Sequence, residues 1–404
     1  MRTLHPLLVL IPGIIVVAAF APATSHAQVQ LGIDVLASDN FRLLEGRRVG
    51  LITNQTGVNS RGTRTREILR KASNVKLVAL YTPEHGLDGV EKAGKYVSSR
   101  RDPVTGVTAH SLYGPTRKPS AAMLNGVDTL VYDMQDIGCR SYTYISTMIR
   151  CMEAAGERGL SFVVLDRPNP LGGVRVEGPG IESDWISFVG QIPTPYVHGM
   201  TSGEIARMAN ARGWAGSKCK LEVVPLRGWR REMTWRDTGL RWVRTSPNIP
   251  YADSPAYYVA TGILGSLGGV DIGIGTGEPF QRAAAPWMDA NLLTKFMQGL
   301  QARGMKFAPF ASEDAKGVRI QIDPRSAQNL TALNLYLIAE FNKRTNRSLF
   351  ARTDKSEMDI FYKVCGSTAI RRELERGTSP ARIAGSWEGG VGRFRRERGP
   401  YLLY

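Results

Sequence analysis

Four short polar segments, each following a run of β-branched and aliphatic residues, hold most of the side chains able to do chemistry. Asn54 and Gln55 follow the first run, and Glu84, His85 and Asp88 the second. Asp133, Asp136, Arg140, Tyr142 and Tyr144 follow the third, and Asp166, Arg167 and Asn169 the fourth. Carboxylates at this density suit proton transfer. One protonated acid donates to a leaving oxygen while a second carboxylate activates water or attacks, which is the pattern of glycoside hydrolysis. Each residue also has a plain alternative. Asp133 and Asp136 could cap the following helix, Arg140 could pair with one of them, Asp166 and Arg167 could form a simple ion pair, and Asn54 and Gln55 could shape a turn.

Other chemistries lack their motifs. The chain has no G-x-S-x-G elbow, no G-x-x-x-x-G-K-[ST] loop, and no G-x-G-x-x-G after its first strand-like run. The glycines of residues 273–277 resemble a phosphate loop only weakly. Beyond residue 27 the histidines are His85, His110 and His198, without an H-E-x-x-H pair, and the four cysteines form no C-x-x-C. A metal site of His85, Asp88 and Asp133 is the minor alternative. The expectation is that the site holds no metal and needs no cofactor.

The elements that must position these residues follow from the hydrophobic pattern. Residues 48–53, 75–81, 127–133 and 161–166 are strand-like, and residues 63–72 and 142–158 between them are helical. Buried runs alternating with helices predict a doubly wound, parallel α/β sheet, whose ligands bind at the carboxyl ends of the strands. A helix over residues 200–212 and a strand over 221–226 extend it. The proline-rich stretch 246–255 suits a junction. Beyond it the pattern predicts helices near 287–301, 327–343, 367–376 and 380–389, with strands at 305–310 and 318–322. The expected organisation is residues 1–27 as a secretory signal peptide, 28–252 as the parallel-sheet domain, and 253–404 as a smaller mixed α/β domain.

The signal peptide rests on Arg2, the apolar run 7–20 and the small-x-small site Ser25-His26-Ala27. Export to the periplasm or the exterior, with no stable membrane insertion after cleavage, is therefore expected. The formal charge is +16, from 52 Lys and Arg against 36 Asp and Glu, and losing Arg2 would leave +15. Inside a cell such a charge would suggest nucleic acid. Outside the inner membrane nucleic acid is not expected, and anionic wall polymers take its place.

Eight blocks, in order, resemble one family: residues 50–57 (GLITNQTG), 81–89 (YTPEHGLDG), 132–144 (YDMQDIGCRSYTY), 165–173 (LDRPNPLGG), 176–179 (VEGP), 198–201 (HGMT), 246–250 (SPNIP) and 275–280 (GTGEPF). The chain is identified on them as a member of the NamZ family of exo-acting β-N-acetylmuramidases of peptidoglycan recycling, once a family of unknown function. One departure is an alanine where a glycine is expected before Ala285-Pro286-Trp287.

The resemblance implies a Rossmann-like N-terminal domain, a C-terminal auxiliary domain, and a site in the cleft between them. It implies hydrolysis of terminal non-reducing N-acetylmuramic acid (MurNAc) from MurNAc-GlcNAc fragments, without metal or nucleotide. Glu84, in the E-H-G block, is then the general acid. Asp133 or Asp136 would activate water, attack, or orient the sugar's own acetamido group. Arg140 or Arg167 would fork onto the lactyl carboxylate. Tyr142, Tyr144 and Trp287 would stack on sugar faces, and Glu278 would reach the cleft from the second domain. Asn54, Gln55, His85 and Asn169 complete the expected substrate contacts. The alternative is a non-catalytic wall-glycan-binding protein on the same fold, and a metal-dependent hydrolase of another wall component is a third reading.

Overall fold

The computed structural model describes residues 28–404 except Ala93 and Asn346, so the expected signal peptide lies outside the described residues. Seven strands form one sheet in the order β3-β4-β2-β1-β5-β6-β7. They are β1 (Arg48–Thr53), β2 (Lys76–Thr82), β3 (Arg100–Arg101), β4 (Thr108–Ser111), β5 (Thr129–Asp133), β6 (Ser161–Leu165) and β7 (Lys220–Val224). All neighbours pair in parallel except β3, which runs antiparallel to β4 at the edge. Every residue of β5 is buried, and so is all of β1 after Arg48, as a strand covered on both faces requires.

Helices α1 (Gly32–Ser38) and α2 (Thr65–Lys71) cover one face, and α3 (Tyr144–Glu157) and α4 (Ser202–Arg212) the other. Thr201 starts α4 with a reciprocal capping bond to Glu204, and Gly213 ends it at φ 73°. Chain order reverses between β1 and β5, so the crevice outside their carboxyl ends is the topological switch point.

A smaller antiparallel sheet, β8-β10-β9, is built from β8 (Arg282–Ala285), β9 (Met305–Ala311) and β10 (Lys316–Ile322). Pro309 is tolerated because β9 is an edge strand. The segment in which alanine replaces the expected glycine is β8 itself, where Ala283, Ala284 and Ala285 are buried. Around this sheet lie α5 (Ser254–Thr261), α6 (Ala290–Gly299), α7 (Leu330–Lys343), α8 (Leu349–Arg352), α9 (Lys355–Cys365), α10 (Ala369–Glu375), α11 (Pro380–Ser386) and α12 (Glu388–Glu397). The molecule is thus a Rossmann-like parallel-sheet unit joined to a smaller mixed α/β unit. One continuous apolar core runs from α3 and α4 into α5 and α7, so the smaller unit packs on the α3 face. Among the described residues no helix is long and apolar enough to cross a membrane.

Arg140 joins the two units, which corrects the expectation that it meets substrate. Only 1% exposed, it donates to the carbonyls of Pro179 (2.9 Å) and Thr194 (2.6 Å) in the larger unit. It also donates to Val364 (3.3 Å) and Cys365 (2.8 Å), which lie at the carboxyl end of α9. A cation at that helix end meets the negative pole of the dipole as well as unpaired carbonyls. Gly366, at φ +79°, admits it: a Cβ there would lie 2.6 Å from the guanidinium. Arg140→Ala would leave the Thr194, Val364 and Cys365 carbonyls unpaired, and lysine cannot span them. Both variants should lose about 3–5 kcal/mol of stability, read as a lower urea midpoint.

Candidate active site

The carboxyl ends of β1, β2, β5 and β6 bring the polar segments to one edge of the sheet, where burial separates them into supports and exposed chemistry. Asn54, after β1, folds back so that Oδ1 accepts from the Thr56 amide (2.9 Å) and hydroxyl (2.6 Å). Gln55 Nε2 donates to the carbonyls of Arg244 (2.9 Å) and Thr245 (3.0 Å), tying down the segment that crosses the sheet edge.

Glu84, after β2, is half-buried. Its Oε1 accepts from the Gly94 amide (2.9 Å), and its Oε2 accepts from the Thr143 hydroxyl (3.0 Å) at the start of α3. The Tyr113 phenol faces the same carboxylate; burial first, and then the Glu84 charge, push that phenol up to about 12. His85 takes a left-handed backbone at φ 69° and turns inward, where Nδ1 lies 2.6 Å from the Glu91 carbonyl. It braces the loop carrying Gly94.

The three acids after β5 and β6 meet different neighbours. Asp133 is fully buried, with Oδ1 2.6 Å from Arg167 Nε and Oδ2 accepting from the Thr65 hydroxyl. Both oxygens are occupied, so the expectation that Asp133 activates water or attacks is corrected: it anchors β5. Arg167 also donates Nη2 to the Val58 carbonyl (2.7 Å), and its side chain lines the cavity described below. Asp166 accepts from the amides of Arg167 and Gly203 and the hydroxyls of Thr201 and Tyr404. Burial still holds its pKa up, at about 6. Asp136 accepts at Oδ2 from the Gly138 amide (2.7 Å), while Oδ1 is buried without a partner. Burial raises its pKa to about 7.

Asn169 is also structural, contrary to expectation. Its Oδ1 accepts from the Leu171 amide (2.9 Å), its Nδ2 donates to the Met200 carbonyl (3.0 Å), and it fills the space beside Gly138 that a Cβ would occupy. The Tyr142 hydroxyl donates to Thr245 Oγ1 (2.8 Å) and the Tyr144 hydroxyl to the Thr245 carbonyl. Their rings pack edge to face with centroids 4.8 Å apart, and Tyr258 of α5 continues the cluster at 6.2 Å from Tyr142. This wall is shared by both units of the fold, but buried rings that hold each other cannot also lie flat on a sugar. Trp287 is covered by the Arg352 guanidinium at 4.4 Å. Glu278 is half-buried and pairs with Arg319 at 3.0 Å, so no contact brings it to Glu84.

Asn54 Nδ2, Gln55 Oε1, Gln135 Oε1 and Asp136 Oδ1, all at the switch point, are buried without partners among the described residues. Native interiors rarely leave such groups bare, so a cluster of four marks a place for water or for polar groups of a ligand. A cavity of about 100 Å³ lies beside them, lined by Thr56, Gln135, Arg167 and Trp235. The segment from Leu240 to Thr245 borders both regions, with Leu240, Arg241 and Val243 on the cavity and Thr245 on the tyrosines. The three side chains of the alternative metal site go elsewhere: Asp88 to Arg64 and Arg100, Asp133 to Arg167, and His85 to a carbonyl. Among the described residues no cluster of three His, Cys, Asp or Glu side chains could hold a metal ion.

Thr143, Tyr113 and Gly94 surround Glu84 and were not among the expected residues. Thr143 sits inside a block already singled out. Tyr113 follows β4, a strand end like the other four, and the alternating run before it was the available signal.

Comparison with known proteins agrees across the whole described chain. Residues 49–253 match the family model described as exo-β-N-acetylmuramidase NamZ, N-terminal, and residues 256–404 match its C-terminal counterpart. The chain is 38% identical over 407 aligned positions to the peptidoglycan β-N-acetylmuramidase NamZ of Bacillus subtilis (strain 168), covering 97% of this chain and 96% of that protein. A crystal structure of a DUF1343 family protein from Bacteroides fragilis NCTC 9343 superposes with a TM-score of 0.87 at 42% identity, covering 93% of this chain and 99% of that one. A second such protein from the same organism gives 0.74 at 28% identity, covering 94% and 99%.

The environment of Asp136 has a measurable consequence. The folded state holds a proton that the unfolded chain, with a carboxyl pKa of 3.8, releases. The stability contributed by that proton is therefore fully present below about pH 4 and lost as pH rises through about 7. Asp136→Asn keeps an acceptor for Gly138 and removes the titration. Relative to the parent, this variant should gain on the order of 2–4 kcal/mol between about pH 4 and pH 8, measured by urea unfolding at both.

Proposed function

The chain belongs to the exo-β-N-acetylmuramidase NamZ family, and on that footing we propose that it hydrolyses terminal non-reducing MurNAc from peptidoglycan fragments, with Glu84 as general acid. The observation that carries the role of Glu84 is its position: a half-buried carboxyl group at the end of β2, oriented by the Gly94 amide and the Thr143 hydroxyl, beside a tyrosine wall. A general acid must be held by fixed partners and still be reached by the leaving oxygen. In the proposed reaction, Glu84 passes its proton to the glycosidic oxygen as the bond to the sugar's C1 breaks, and water supplies the new C1 hydroxyl.

Asp136 is the remaining carboxyl for the second role, because Asp133 is held by Arg167 and Thr65. It either activates that water or orients the substrate's acetamido group. The unpartnered atoms of Asn54, Gln55 and Gln135 support a polar, hydroxyl-rich ligand nearby. Residues 1–27 act as a signal peptide in this proposal. The mature chain works outside the inner membrane as a catalytic unit, 28–252, and an auxiliary unit, 253–404. Its net positive charge favours approach to anionic wall fragments.

Glu84→Gln keeps acceptor and shape, since its carbonyl oxygen still meets one of the two donors, but it has no proton to give. With a MurNAc-β-1,4-GlcNAc disaccharide and mass-spectrometric detection of free MurNAc, kcat should fall by roughly 10²–10⁴-fold while the unfolding midpoint holds. A chelator should leave the parent's rate unchanged. Tight sugar binding without release by the parent would replace the enzyme with a wall-glycan-binding protein.

A further inference from the structure

Of the arginines expected to meet the lactyl carboxylate, Arg140 is committed to four carbonyls, and Arg167 is only 3% exposed with its charge paired to Asp133. Yet MurNAc differs from N-acetylglucosamine by that carboxylate, and an enzyme selecting it needs an accessible cation at a fixed place near the acid. Arg117 meets this description. Its guanidinium lies 4.3 Å from the Phe188 ring centroid and 5.1 Å from that of Tyr113, the phenol that faces Glu84. Among the described residues it has no carboxylate partner, and its side chain is exposed. The rings therefore hold the cation without neutralising it, leaving its N–H fork free.

The backbone around Arg117 is held as well. The next residue, Lys118, pairs with Glu153 (2.9 Å) and Glu157 (2.8 Å) on α3, the helix whose first turn lies next to Thr143, the other partner of Glu84. Thr116 closes a local turn onto the Lys118 carbonyl (2.6 Å). Acid and cation are thus referenced to the same helix, which is how a specificity contact keeps its distance from the chemistry.

We propose that Arg117, steadied by Tyr113 and Phe188, is the residue that selects a carboxylate-bearing sugar, binding the lactyl group of MurNAc while Glu84 protonates the glycosidic oxygen. This rests on the muramidase reading. It assigns a contact that none of the motif-bearing blocks contains, since Arg117 lies between the second and third of them.

The test compares an aryl β-glycoside of MurNAc with its lactyl methyl ester, using the parent, Arg117→Met and Arg117→Lys. The parent should prefer the acid. Arg117→Met should raise KM for the acid roughly 10- to 100-fold, change kcat little, and leave KM for the ester unmoved, so that the preference disappears. Arg117→Lys, with charge but no planar fork, should recover part of it. An unchanged acid-to-ester ratio in Arg117→Met would overturn the proposal. Calorimetric binding of free MurNAc and its methyl ester gives a second readout that needs no turnover. Discrimination by the parent that Arg117→Met abolishes, with no hydrolysis by either, would sink the muramidase reading and keep the Arg117 assignment. No discrimination in binding by the parent would sink the assignment alone.

Discussion

Desolvation at the carboxyl ends of the parallel strands decides what every charged residue there can do. Five strand ends converge on one edge of the sheet, and the smaller unit covers the α3 side of it. A charge or amide buried in that place must find a partner or shift its protonation. Asp133 finds Arg167, and Arg140 finds carbonyls at the end of α9. Glu84 remains only half-buried. The same acids and bases would all be candidates on an open surface. Under the smaller unit most are held by partners within the fold, and Glu84 keeps part of its surface open.

The smaller unit is fastened by more than Arg140. Arg398 donates to the carbonyls of His198 (2.9 Å) and Gly199, and the Leu403 amide donates to Glu204 (2.9 Å). Tyr404 closes the chain by donating to Asp166 (2.8 Å) and accepting from the Leu226 amide (2.7 Å), with Trp229 packed across its ring. The last residues of the second unit thus sit at the carboxyl end of β6 in the first. That clasp, with the continuous core, fixes Tyr258 against Tyr142 and makes the wall beside Glu84 a product of both units. A wall held at the core, at α9 and by residues 398–404 is preorganised rather than assembled on binding.

The parallel sheet was legible because its central strands are buried on both faces and so read as unbroken apolar runs; β1 lies where the pattern put it, Arg48–Thr53. Strand-end logic also placed Glu84 and Asp136 at the carboxyl ends of β2 and β5, where the structure has them. What the pattern could not carry was the identity of partners distant in sequence. Arg140 looks like a ligand-binding arginine until Val364 and Cys365 arrive from more than 220 residues away. Asn169 looks like a sugar-binding amide until Met200 takes its hydrogen. The four-residue β4 follows a long irregular stretch, so Tyr113 and Arg117 went unnoticed. Helix α12 contains Gly389, Gly390 and Gly392, each costing about 1 kcal/mol of helix propensity. It is helical because Val391 and Phe394 are buried, a tertiary fact.

Asp133, Asp136 and Asp166 carry this distinction to its limit, since one residue type follows β5 and β6 three times with three outcomes. Asp133 has a guanidinium and a hydroxyl, a full charge for a full charge. Asp166 has four neutral donors, which offset much of its burial but leave the pKa at about 6. Asp136 has one side-chain oxygen on a backbone amide and the other on nothing, and its pKa stands at about 7. Between Asp166 and Asp136 the pKa follows the donors supplied, not depth, because both are almost wholly buried. A carboxyl group short of donors in a native interior is costly unless something else uses it. At neutral pH Asp136 is divided between its acid and its base form. Of the three, Asp136 is therefore the carboxyl group with an oxygen left over for a polar group of a ligand.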